Sequence, residues 1–164
     1  MAREKKSKKR LPEVQTEPEF DQRMVDIARV TRVKAGGKRL RFRACVVIGN
    51  RQGQVGVGVA KGADVSIAVE KAARKARKNI IDVPIVNETI PHWIKVKYCA
   101  AKVLLRPAIK GRGIVAGGAV RTVLDLAGIK NVTAKMLGSN NKIANARATI
   151  EALQQLKTDI VKRE

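Results

Sequence analysis

The chain has 164 residues, enough for one compact unit or two small ones, and 45% of them are apolar. Its 35 lysines and arginines stand against 14 acidic residues, which gives a formal net charge of +21 at pH 7. A compact body with that charge repels itself unless a polyanion neutralises it, so nucleic acid is the predicted partner. No apolar run is long enough to span a membrane, and the basic residues 1–10 lead into no apolar stretch typical of a secretory signal.

Charge is unevenly distributed near the N-terminus. Residues 1–10 carry six basic side chains and one acid, whereas residues 11–28 carry five acids against Arg23 alone. We interpret residues 1–18 as a disordered arm, because they have too little apolar surface to pack. The sequence leaves open whether this arm orders on RNA or stays solvated.

Two strands joined by a tight turn are predicted next. Residues 29–34 and 38–48 have strand patterns, and the intervening Gly36-Gly37 pair tolerates the positive φ angles of a two-residue hairpin turn. Such a turn predicts Ala35 opposite Lys38, Lys34 opposite Arg39 and Arg32 opposite Arg41. Side chains alternate across a sheet, so one face of the hairpin gathers five cations: Arg32, Lys34, Arg39, Arg41 and Arg43. The opposite face is predicted to be core and carries Thr31, Val33, Leu40 and Phe42.

The crowding of cations on one face indicates an anionic partner. Like charges opposite one another destabilise a sheet, and residues 29–43 contain no acid that could offset the repulsion. The alternative is an ordinary solvated face, but such faces normally mix both signs of charge. We therefore predict RNA contacts along the hairpin, including its flanking residues Arg29, Gly36, Gly37 and Lys38.

A third strand and a helix complete the first half. In residues 54–60 valines alternate with Gly56, Gly58 and Ala60, so a packed helix or RNA must approach the bare side of the strand. Residues 63–78 have the apolar spacing of a helix that packs on a core. Four cations form a second stripe on this helix, which is either solvated surface or a phosphate contact: Lys71, Arg74, Lys75 and Lys78. Lys61, between strand and helix, is a further RNA-binding candidate.

Residues 83–91, framed by two prolines, predict a boundary, after which the pattern restarts. Strands are predicted at 94–100, 102–106 and 131–137, and helices from residue 118 to 127 and from 140 to 157. Arg121 and Asp125, four residues apart on the first of these helices, are predicted to form an ion pair. The order of elements indicates two small α+β domains, at residues 19–86 and 92–158, followed by a tail at 159–164.

The glycine-rich loop at residues 110–118 is the feature most suggestive of an enzyme. Gly111-x-Gly113-x-x-Ala116 fits a relaxed dinucleotide-binding pattern, but Lys130 and Asn131 stand near the position where an acid should hold the ribose. What remains is a cationic loop, with Lys110 and Arg112, at a helix N-terminus suited to a phosphate. A nucleotide-dependent enzyme is therefore a weak alternative.

Other catalytic or metal-binding chemistry finds little support in the sequence. Cys45 and Cys99 lie in apolar runs without a CxxC motif and are predicted to be small buried side chains rather than zinc ligands. His92 is the single histidine, and no pair of carboxylates has a catalytic spacing. No enzyme activity, cofactor or metal is expected.

Several blocks of residues resemble one known family. They include Arg29–Val33 with Gly36-Gly37, Gly111–Arg121, Val123–Ile129, Gly138–Asn140 and Arg147–Leu153. In this order and spacing they resemble the family of ribosomal protein number five of the bacterial small subunit, over residues 28–156. Ala35 departs from the family pattern, which usually has a lysine directly before the glycine pair.

The resemblance implies a fold and a function. The fold would be an N-terminal double-stranded-RNA-binding-like domain, with a three-stranded antiparallel sheet and a helix, followed by a C-terminal α/β two-layer domain with a left-handed crossover. The chain would be a cytoplasmic, ribosome-bound structural component that contacts small-subunit ribosomal RNA, small-subunit proteins four and eight, and incoming messenger RNA, and that supports decoding accuracy. Gly113 and Arg121 would lie in the segment that meets protein four. A free double-stranded-RNA-binding chaperone is the alternative that the first domain alone would fit.

Overall fold

The computed structural model describes residues 20–157, so the predicted arm and the predicted tail lie outside the described residues. The first half forms an antiparallel sheet of order β1-β2-β3-β4. Its strands are Asp21–Lys34 (β1), Gly37–Gly49 (β2), Gln54–Gly62 (β3) and Ile80–Asp82 (β4). Helix α1, Val65–Lys78, connects β3 to β4 and packs on one face of this sheet.

Close packing of α1 on β3 depends on residues without bulk. Ala68, Ala72 and Ala76 of α1 are completely buried. A Cβ atom added to Gly58 would lie 2.0 Å from the carbonyl oxygen of Ala72, and one added to Gly56 would lie 2.5 Å from that of Ala76. The bare side of β3 is therefore covered by a helix, which is the first of the two occupants that the sequence allowed.

The second half forms a sheet of order β5-β6-β8-β7. Its strands are Ile94–Tyr98 (β5), Ala101–Pro107 (β6), Ile114–Val115 (β7) and Val132–Met136 (β8). Strands β7 and β8 run parallel, and helix α2, Gly118–Ala127, connects them. Helix α3, Lys142–Gln154, follows β8, and the two helices cover the inner face of the sheet.

One apolar core joins the two halves. Cys45 and Val47 point away from α1 and belong to the same buried cluster as Leu124 of α2 and Leu153 of α3. The backbone of the β2–β3 turn is also bound to the end of α2. The N–H of Arg51 donates to the carbonyl oxygen of Leu126 at 3.0 Å, and that of Gly53 donates to Ala127 at 2.9 Å.

The predicted fold class is confirmed, with an antiparallel sheet and helix followed by an α/β unit. The first sheet has the short fourth strand β4 in addition to the three predicted strands. Strand β1 begins at Asp21 rather than at Arg29, because residues 21–28 pair with the second half of β2. None of the helices in residues 20–157 is both long and apolar enough to cross a membrane.

The prediction for one of the two cysteines is wrong. Cys45 is fully buried in β2, as predicted, but Cys99 is exposed. Cys99 lies in the two-residue turn between β5 and β6, with a φ of 50°. The turn interrupts the alternation there, so an apolar residue points to solvent.

Candidate nucleic-acid interface

The hairpin of β1 and β2 turns one residue earlier than predicted. Its turn residues are Ala35 and Gly36, and only Gly36 takes a positive φ, of 88°. Lys34 consequently pairs with Gly37 and Arg32 with Arg39. The predicted pairings across Gly36-Gly37 are wrong by two residues in register. An even shift keeps every side chain on its predicted face, because alternation along a strand has a period of two.

Five cations share one face of the hairpin, as predicted from the alternation. This cationic face consists of Arg32, Lys34, Arg39, Arg41 and Arg43. Lys61 of β3 lies opposite Arg43 and extends the same face toward the base of the hairpin. A shallow recess of about 160 Å³ lies among these side chains, with Val30 and Thr31 at its walls.

The charges of the cationic face are almost entirely uncompensated within residues 20–157. Arg43 alone among these six cations forms an ion pair there, with its Nη2 atom 3.5 Å from Oδ2 of Asp26. The Nε atom of Arg43 is buried without a hydrogen-bond partner. Arg32 and Arg39 lie directly opposite each other, and both are exposed. This arrangement destabilises the hairpin unless an anion binds there.

Near the tip of the hairpin, the opposite face is exposed and does not form the predicted core. The side chain of Val33 is 74% exposed and that of Leu40 is 47% exposed. The apolar cluster beneath helix α1 begins only farther down this face, at the half-buried Phe42 and the buried Ala44. Arg29 and Lys38, also predicted to bind RNA, lie on this face, away from the five other cations.

The basic stripe of α1 is exposed but separate from the cationic face. Arg74 forms an ion pair with Glu70 one turn earlier, whereas Lys71, Lys75 and Lys78 extend from the helix surface. Because α1 packs on the other side of the sheet, the fold does not bring this stripe together with the cationic face.

The glycine-rich loop, predicted to suit a phosphate, carries exposed cations, and its glycine N–H groups bind a side chain of the protein. Lys110 and Arg112 are exposed, and Gly111 and Gly113 take positive φ angles. Their N–H groups donate to Oδ1 of Asn131, at 3.0 and 3.1 Å, so they are not free for an anion. Strand β7 also separates the loop from the start of α2.

Asn131 is a positioning residue whose role the sequence reasoning missed. It is almost completely buried, and its backbone N–H donates to the carbonyl oxygen of Glu88 at 3.1 Å. Thr89 donates from its hydroxyl to the carbonyl oxygen of Asn131. The one available signal was the presence of an amide where the dinucleotide pattern requires an acid.

Arg121 lies on the exposed side of α2 and does not form the predicted pair with Asp125. The carboxylate of Asp125 instead binds Arg23 of β1, at 2.7 Å between Oδ2 and Nη1. The contact across the two halves replaces the intrahelical one. Arg121 lines a cleft of about 540 Å³ together with Arg51 and Lys130. Gly113 is half-buried, and its carbonyl oxygen accepts from the N–H of Val132.

Within residues 20–157, two titratable groups have shifted pKa values, and both fit structural roles. Burial raises the pKa of the Cys45 thiol to about 11, and the nearby Asp26 carboxylate adds to the rise. The hydrogen bond from Lys130 lowers the pKa of Glu88, and the charge of Lys130 lowers it further. The residues described here hold no group of three or more histidine, cysteine or acidic side chains that could bind a metal ion.

Comparison with known proteins identifies the family. Residues 20–84 match the family described as "Ribosomal protein S5, N-terminal domain", and residues 96–160 match "Ribosomal protein S5, C-terminal domain". The chain is 53% identical over 143 residues to "Small ribosomal subunit protein uS5c" of Rhodomonas salina, covering 87% of this chain and 85% of that protein. It is 51% identical over 159 residues to "Small ribosomal subunit protein uS5" of Nostoc punctiforme, covering 96% and 90%.

A relative from Spinacia oleracea, "Small ribosomal subunit protein uS5c", is 55% identical over 139 residues, covering 84% of this chain and 45% of that longer protein. Each of these relatives is named as a protein of the small ribosomal subunit. The chain therefore belongs to the ribosomal protein S5 family and is a protein of the small ribosomal subunit.

Proposed function

We propose that the chain binds ribosomal RNA through the cationic face of its hairpin. The observation that carries this proposal is the alignment of Arg32, Lys34, Arg39 and Arg41 on one exposed side, without ion-pair partners among residues 20–157. Phosphate oxygens are the acceptors that such a surface fits, since each contact also releases a condensed counterion. Lys61 continues this surface, and Arg43 contributes to it from the base of the hairpin.

The other predicted contacts belong to the same proposal. Lys71, Lys75, Lys78, Lys110 and Arg112 are exposed cations at other places on the molecule, suited to further RNA segments. From the family, we propose small-subunit proteins four and eight as neighbours, with Gly113 and Arg121 toward protein four. The basic surface would contact incoming messenger RNA and thereby support decoding accuracy.

The hairpin proposal predicts a change in the salt dependence of binding. The triple variant Arg32→Ala/Arg39→Ala/Arg41→Ala should bind a small-subunit RNA stem more weakly than the natural chain. Its plot of log K against log salt should flatten by about 0.9 units per lost phosphate contact, roughly three units in all. Filter binding or fluorescence anisotropy over a range of salt concentrations measures both quantities.

A control variant separates local contacts from net charge. Arg77→Ala/Arg147→Ala/Lys157→Ala removes three charges from exposed sites outside the hairpin that form no ion pair among the described residues. We expect it to leave the slope close to that of the natural chain. Equal slopes for the two triple variants would show that the cationic face is only solvated, and the proposal would be abandoned.

A further inference from the structure

The outer face of the second sheet is a further basic surface, which none of the sites above includes. Strand pairing places seven residues on this side of the sheet, away from α2 and α3: Lys95, Lys97, Lys102, Leu104, Arg106, Thr133 and Lys135. Trp93, directly before β5, lines a recess with Arg106 of this face. Five of the seven are cations, all exposed, and the four strands contain no acid. None of the five forms an ion pair among the described residues.

Like charges oppose each other here as they do in the hairpin. Lys97 on β5 pairs directly with Lys102 on β6, an arrangement that destabilises the sheet when nothing neutralises it. Lys135 on β8 lies next to Leu104 on the central part of the same face. The strand pattern thus repeats the chemistry of the cationic face on a second, independent sheet.

Trp93 supplies what the hairpin lacks, an exposed aromatic ring. It precedes β5, its side chain is 64% exposed, and it shares a recess of about 390 Å³ with Arg106 and Pro107. An exposed aromatic ring beside cations is the arrangement that proteins use to stack an unpaired base while they hold the adjacent phosphates.

We infer that this outer face binds an unpaired RNA segment, with one base stacked on Trp93 and phosphates on Lys95, Lys97, Lys102 and Arg106. Lysine is depleted in protein–protein interfaces but is a standard phosphate ligand, so four lysines among the five cations favour RNA over an acidic protein. The inference rests on the proposed RNA binding of the chain, but it concerns a surface separate from the hairpin.

Trp93 is the single tryptophan of the chain, so its fluorescence reports directly on this face. We expect a single-stranded RNA dodecamer to quench this fluorescence saturably, and more strongly than the same sequence in a duplex, where the bases are already stacked. Inorganic polyphosphate, which has charge but no base, should not quench it. Absence of quenching by the dodecamer, or equal quenching by polyphosphate, would overturn the stacking of a base on Trp93.

Variants of the full chain test the two parts of the site by anisotropy of a labelled dodecamer. Trp93→Ala should bind about tenfold more weakly, and Trp93→Phe should retain most of the affinity because its ring still stacks. Lys97→Ala/Lys102→Ala should reduce the slope against log salt by about 1.4 units, at roughly 0.7 per single-strand phosphate. The charge-matched double variant Arg77→Ala/Lys157→Ala should leave this slope unchanged. Equal slopes for the two double variants would show that Lys97 and Lys102 do not contact phosphates.

The hairpin triple variant distinguishes this inference from the proposed function. If the outer face binds RNA, the dodecamer still quenches Trp93 in Arg32→Ala/Arg39→Ala/Arg41→Ala. If instead an acidic protein covers the outer face, the natural chain still binds an RNA stem through its hairpin, but the dodecamer does not quench Trp93. That result would refute the inference about the outer face and leave the proposed function of the hairpin standing. Quenching that persists while the triple variant binds the stem unchanged would refute the hairpin site alone.

Discussion

Gly58 is the residue at which β3 and α1 approach each other most closely. The atom that an added Cβ would meet is a backbone carbonyl oxygen of α1, which cannot rotate away as a side chain could. The sequence indicated a close approach at this strand, because glycines alternate with valines there. It could not say whether a helix or RNA approached, since both need a strand surface without side chains.

We predict that Gly58→Ala strongly destabilises the fold. The added methyl group must push α1 away from the sheet, so the free energy of unfolding should fall by about 3 kcal/mol or more. Urea unfolding followed by circular dichroism measures the change. Gly118→Ala is the matched control, because nothing lies within 4 Å of an added Cβ there. A similar, small effect of both substitutions would contradict this account of the packing.

The two cysteines show where residue-level prediction fails. Both have apolar neighbours in the sequence, and hydrophobicity alone predicts burial for both. Cys45 continues an unbroken strand into the core, whereas Cys99 lies where β5 reverses into β6. Burial of a small residue near a strand end depends on where the turn forms, which hydrophobicity does not specify.

At the scale of elements, the face of each hairpin side chain was predictable but the register was not. Alternation depends only on the strands, so Arg32 and Arg39 share a face in either register. The register depends on which two residues form the turn. Ala35 occupies the first position without positive φ, so the single positive φ of Gly36 suffices. The exposure of Val33 was also unpredictable, because it depends on how far α1 extends over the sheet.

The loop before β7 is held by one side chain, and this leads to a prediction at the same scale. Asn131→Ala would leave the N–H groups of Gly111 and Gly113 without their acceptor. Each lost hydrogen bond contributes about 0.5–1.5 kcal/mol, so the free energy of unfolding should fall by about 2 kcal/mol for the two together. Hydrogen exchange at the amides of Gly111 and Gly113 should also become faster, which nuclear magnetic resonance measures for each residue.

Asn140→Ala serves as the control for that loop. Asn140 is exposed, so its loss should change neither the stability by more than about 0.5 kcal/mol nor the exchange of the loop amides. Unchanged protection of Gly111 and Gly113 in Asn131→Ala would show that other contacts hold the loop. The position of Lys110 and Arg112 would then not depend on Asn131.

At the scale of the whole molecule, the sequence suggested two units and the structure joins them through one core. The segment with prolines near residues 84 and 91, which the sequence predicted as a boundary, lies between β4 and β5. However, the valines on the far side of β3 could not be assigned a partner from sequence. They pack, with Cys45 and Val47, against residues of α2 and α3. The periodic pattern of a strand shows which of its faces is buried, but it does not identify the distant element that covers that face.

This shared core predicts that both halves unfold in a single transition. Leu124→Ala removes a buried side chain of α2 and leaves a cavity in the core. The free energy of unfolding should therefore fall by about 2–5 kcal/mol. Because Leu124 and Val47 belong to one buried cluster, the most protected amides of β2 and β3 should lose the same free energy of protection. Native-state hydrogen exchange measures these amides, and Trp93 fluorescence in urea follows the second half.

Val33→Ala, at an exposed position, is the control and should have little effect. The two halves would be independent if the amides of β2 kept their full protection from exchange in Leu124→Ala while the Trp93 fluorescence transition moved to a lower urea concentration. The hairpin proposed to bind RNA would then keep its structure without the second sheet. A common core instead makes the two proposed RNA-binding surfaces, on the hairpin and on the outer face of that sheet, parts of one cooperatively folded unit.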